Sequence, residues 1–71
     1  MNAAAQAMKQ EMLALLATQT TAQLLRMMQQ LNKRTDEAAE LVYDLAFLVL
    51  SERLGFEKAE QYSDDIMGWG Q

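Results

Sequence analysis

Seventy-one residues with a net charge of −4, no cysteine, no histidine and no proline allow one small domain and close off several chemistries at once. Disulfides are excluded, as are zinc sites built from Cys or His, and no cofactor or metal is expected. A chain this short gains little net stability from one core, so a second subunit or very good helix packing has to supply the rest.

The charge is divided along the chain. Residues 1–35 carry Lys9, Arg26, Lys33 and Arg34 against Glu11 alone, a net +3. Residues 36–71 carry Arg53 and Lys58 against nine carboxylates, a net −7. A basic half joined to an acidic half attracts it, within one chain or between two.

Ala, Leu, Gln, Met and Glu dominate, all strong helix formers, so the expected fold is all-α. A first helix is expected over about 2–17, with Ala5, Met8, Met12, Leu15 and Leu16 as its apolar stripe. Its opening residues, MNAAAQAMKQEML, lack the basic stretch and apolar core of a secretory signal. A second helix is expected over about 21–33, with Leu24, Met27, Met28 and Leu31 turned inward. Thr20 as N-cap and Gln23 three residues on form a capping box that would break the two apart. Against that, Leu13, Ala17, Thr20, Leu24, Met27 and Leu31 keep an unbroken coiled-coil spacing through the junction, so one continuous helix remains open.

The third helix is expected over about 36–54. Thr35 suits its N-cap, Asp36 and Glu37 put negative charge on its amide end, and Gly55 suits a left-handed C′ position with Phe56 packing behind it. Within it, residues 41–50 (LVYDLAFLVL) carry one charge, Asp44. On a helical wheel its polar side is a narrow strip of Glu37, Glu40, Asp44 and Ser51. Ala38, Leu41, Val42, Leu45, Leu48 and Val49 make one apolar face, expected to pack on the chain's own helices. Tyr43, Phe47, Leu50 and Leu54 make another, expected to meet its twin across a twofold axis. A fourth helix over about 57–66, with Ala59, Tyr62 and Ile66 inward, precedes a flexible tail at 67–71 that carries Trp69.

The expected architecture is therefore a small bundle of three to four helices with a long central helix at 36–54, completed by homodimerisation. The longest nearly uncharged run is about half of the roughly 20 residues that a membrane span needs. No membrane role is expected, and the cytoplasm is the expected location.

No nucleophile has a base beside it, and Ser51 and Ser63 stand alone, so no catalytic residue, small-molecule substrate or enzymatic activity is expected. The expected function is a non-enzymatic protein-interaction module, a regulator, adaptor or inhibitor that docks an apolar helical surface on a partner protein. Tyr43, Phe47, Leu50 and Leu54 are the expected contacts, with Met27, Met28 and Trp69 as further candidates. The alternative is a nucleic-acid-related regulator. It would be a dimeric DNA or RNA binder using Arg26, Lys33 and Arg34, or an acidic mimic that occupies such a binder.

Overall fold

The computed structural model describes residues 3–69, with only the backbone of Trp69. Four helices fill this span: α1 (Ala3–Ala17), α2 (Thr21–Asn32), α3 (Glu37–Leu54) and α4 (Phe56–Trp69). They form a small all-helical bundle in which α3 packs against each of the other three and α2 also packs on α4.

Hydrogen bonds fix the helix directions. Arg53, in the last turn of α3, donates to the Ala17 carbonyl at 2.7 Å and to the Thr21 hydroxyl at 3.5 Å. The end of α3 therefore lies beside the α1–α2 turn, so α1 runs alongside α3 and α2 runs back against it. Asn32, at the end of α2, donates to the Ile66 carbonyl at 3.3 Å near the end of α4. The core gathers Leu16, Leu24, Met28, Tyr43, Leu45, Ala46, Val49, Leu50, Ala59 and Ile66.

The junction of α1 and α2 is broken, and the capping box breaks it. The Thr20 hydroxyl accepts from the Gln23 amide at 3.1 Å, and the Gln23 side chain accepts from the Thr20 amide at 2.9 Å. Two orphan donors are thus satisfied by residues that a continuous helix would hold differently. The coiled-coil spacing across the junction is not used.

Three details depart from the sequence reading. The N-cap of α3 is Asp36, not Thr35: its carboxylate accepts from the Ala39 amide at 3.2 Å while Arg34 grips it from behind. Gly55 does not open a Schellman motif. Its φ of 90° and ψ of 153° are extended rather than left-handed helical. Its amide donates to Ser51 at 2.8 Å and its carbonyl accepts from Ala59 at 3.1 Å, so one residue ends α3 and begins α4. Finally, α4 does not stop at 66 but runs through Gly68 to Trp69. Ile66 is buried and its carbonyl is bonded, which anchors the last turn, and Ser63 lies inside the bundle, bonded to Tyr43.

The two apolar faces of α3 are redistributed as well. Tyr43 shares a 2.7 Å hydroxyl–hydroxyl bond with Ser63 of α4, and Phe47 meets Phe56 edge-on with ring centroids 5.9 Å apart. The face expected to await a second subunit is thus covered by the chain's own α4. Of the face expected to pack inward, Leu45 and Val49 are buried, but Ala38, Leu41 and Leu48 are exposed.

Candidate protein-interaction surface

Burial sorts the residues that the sequence nominated for contact. Leu50 and Met28 are fully buried and Tyr43 nearly so, which withdraws them from any outer surface. Phe47, Leu54 and Met27 are partly buried against the core. The Trp69 side chain lies outside the described residues. Arg26 and Lys33 are exposed on α2 and its C-cap.

Arg34 is exposed but committed. Its Nε and Nη2 donate to the two Asp36 oxygens at 2.9 and 2.7 Å, a bidentate fork. Hydrogen bonding from Arg34 holds the Asp36 carboxyl below the usual carboxylate range, and the same bond raises the guanidinium. This is the sole ion pair among the described residues, so the attraction between the basic and acidic halves is expressed within the chain at one point.

What remains outward is a different set of large apolar side chains: Met8 and Leu15 on α1, Leu41 and Leu48 on α3, Phe56 and Met67 on α4. Met8 and Leu15, expected inward, are each 65% exposed. They sit at one flank of the α1 stripe, and only Met12, Leu13 and Leu16 reach the bundle. Leu41 and Leu48 sit seven residues apart, so they lie nearly above one another on α3. The signal for their exposure was on the wheel. Leu48 is about 20° from Glu37 around the axis, closer to the polar strip than to the centre of either apolar face.

Carboxylates are exposed on both α3 and α4. Glu37, Glu40, Asp44 and Glu52 of α3 are exposed, as are Glu57, Glu60, Asp64 and Asp65 of α4. Glu40 and Asp44 edge a cleft of about 320 Å³ that Leu31, Asn32 and Arg34 border on one side and Met67 on another, with Ala39 and Tyr43 also lining it.

Ser51 donates to the Phe47 carbonyl at 2.9 Å and Ser63 is bonded to Tyr43, so both hydroxyls serve the fold. Among the described residues, no three acidic, His or Cys side chains are grouped to hold a metal ion, and no helix is long and apolar enough to cross a membrane. No protein-family model matches the chain, and neither a curated protein nor a solved structure matches it significantly.

Proposed function

We propose that this chain is a non-enzymatic protein-interaction module, a small cytoplasmic regulator, adaptor or inhibitor that acts by docking a helical surface on another protein. One observation carries this reading: with the core already filled, α3 still turns Leu41 and Leu48 outward among carboxylates. Leu41 and Leu48 are 38% and 46% exposed, so each forgoes a little under half of the about 1.5–3 kcal/mol that full burial yields, which a partner would recover. The test is a photo-crosslinking residue installed at position 48 and, as a control, at position 30 on the far, polar side of α2. A discrete protein adduct from 48 but not from 30 supports the reading. Equal, diffuse labelling from both positions overturns it.

Self-association belongs to the same reading, with α1 as its seat. The first two turns of α1 are exposed throughout, and helices so short are marginal in water unless packed. A second copy laid along Met8 and Leu15 would supply that packing. Light scattering over a dilution series should give a dimer that Leu15→Lys dissociates. A wild-type monomer at all concentrations would remove the dimer.

The second reading is nucleic-acid-related. It draws on Arg26 and Lys33, exposed and seven residues apart on α2. With Arg34 held by Asp36, the two cations left on this face fall short of the roughly 6–10 phosphate contacts that useful affinity takes. The acidic-mimic version draws instead on the carboxylates of α3 and α4. A mobility shift at low salt that disappears in Arg26→Ala, Lys33→Ala would favour the binder, and competition with DNA for a basic protein would favour the mimic.

A further inference from the structure

We propose that the outward strip of α3 takes a cationic amphipathic helix of another protein, and that its charges turn away both a second copy of this chain and nucleic acid. The proposal rests on the interaction-module reading and names the class of partner that this face selects.

Positions 37, 41, 44, 48 and 52 follow a 4-3-4-4 spacing and so form one line along α3, about 22 Å long at the helical rise. Along that line carboxylate and leucine alternate: Glu37, Leu41, Asp44, Leu48, Glu52, with Glu40 one turn from Asp44 at the line's edge, all exposed. The sole ion pair among the described residues uses Asp36 and Arg34, so no cation of the chain neutralises these four carboxylates. Like charges one turn apart repel, and that repulsion is relieved only from outside the chain.

The pattern decides between occupants. Pairing α3 with α3 of a second copy would bury the two leucines only by pressing Glu37, Glu40 and Asp44 against the same carboxylates, at a cost in desolvation and repulsion. The lysines of α1 and α4 are also unpaired, but Lys9 shares α1 with Glu11, and Lys58 shares α4 with Glu57, Glu60, Asp64 and Asp65. Net positive charge is left on α2 alone, with Arg26 and Lys33, but none of the exposed large apolar side chains lies on α2. It has charge for the carboxylates and nothing for Leu41 and Leu48. Nucleic acid is a polyanion and meets the same carboxylates with repulsion.

A helix bearing apolar residues seven apart, with Lys or Arg between and beside them, satisfies both halves of the strip. Such a partner sets its apolar residues on Leu41 and Leu48 and its cations on Glu37 and Asp44. The cleft beside Glu40 and Asp44, which Arg34 also borders with its guanidinium committed to Asp36, adds a place for one long basic side chain. Its stem would lie on Leu31 and Met67 while its head reaches the carboxylates.

The experiment uses the full chain, isotope-labelled for amide NMR, titrated with a synthetic helical peptide of Leu and Lys in heptad spacing and with the matching Leu/Glu peptide. The expected result is saturable binding of the Leu/Lys peptide alone, with perturbed amides concentrated in residues 37–52. Affinity should fall by about tenfold or more as salt rises from about 0.05 to about 0.5 M. It should also fall by about tenfold in Asp44→Lys, and clearly in Leu48→Gln. Asp44→Asn, which removes the charge without reversing it, guards against a variant that loses its fold, and circular dichroism checks each. No saturable binding, equal binding of the Leu/Glu peptide, perturbations away from α3, or an unchanged affinity in the Asp44 variants would overturn the proposal. A crosslinked partner at position 48 together with failure of the Leu/Lys peptide would leave the module reading standing and sink the cationic class. Peptide binding at α3 without any adduct at 48 would do the reverse.

Discussion

Helices α1 and α3 are both rich in apolar residues and neither shows one clean stripe, yet the bundle treats them in opposite ways. In α1 one residue, Leu16, is buried; in α3 six are. Much of the apolar character of α1 is alanine, whose single methyl offers little area to bury. α3 carries Leu, Val, Tyr and Phe on most of its circumference and has three helices to receive them. Apolar content sets how much a helix stands to gain by burial. Side-chain reach and the number of neighbours decide how much of that gain is realised.

The largest expected effect separates the two helices directly. Leu50→Ala, at a fully buried site, should cost about 2–5 kcal/mol in urea denaturation, against about 0.5 kcal/mol or less for Leu15→Ala in the dilute monomer. If Leu15→Ala proves as costly, and the cost grows with protein concentration, then α1 is covered by a second copy and the contrast closes. Next is the polar link between α3 and α4. Tyr43→Phe strands the buried Ser63 hydroxyl and should cost about 1–2 kcal/mol, part of which the double variant with Ser63→Ala recovers. Thr20→Ala removes half of the capping box that separates α1 from α2 and should cost about 1 kcal/mol, read as a shift in the denaturation midpoint.

The smallest effect is one of pH. Because Arg34 lowers the pKa of Asp36 in the folded chain, the pair adds stability that is present above the unfolded carboxylate pKa and is lost as pH falls through the folded one. Both groups are at the surface, so the change should be slight. Asp36→Asn, which keeps a capping side chain, should flatten the acid limb of a stability–pH curve without shortening α3.

Much of this architecture was legible in the residues. Composition pointed to helices, Thr20 and Gln23 marked the break before α2, and Ala59 and Ile66 marked the inner side of α4. The errors share one cause, which is that local patterns say nothing about neighbours. Tyr43, Phe47, Leu50 and Leu54 do form a distinct face, but nothing in their spacing reveals that α4 folds back to cover it. Thr35 is a good N-cap in isolation. Asp36 takes the position with Arg34 two residues before it, a short-range pairing that was readable and outweighed by a rule about residue type. On the candidate surface, the polar strip is plain from the wheel, while Leu41 and Leu48 fall at the edge of the face expected to pack inward, where the wheel alone does not separate buried from exposed.

The single-residue passage at Gly55 joins two helices with no slack between them. An insertion or deletion of one residue there would turn α4 by about 100° about its axis and swing Ala59, Ser63 and Ile66 off the core. Other helix junctions absorb length changes in a loop, but here chain length and rotational phase are one variable. Glycine supplies the φ of 90° that makes this possible, although a side chain added at its Cβ would meet nothing within 4 Å. The constraint at this position is therefore angular, not spatial. It is the one place in the fold where the count of residues, rather than their identity, aims a helix.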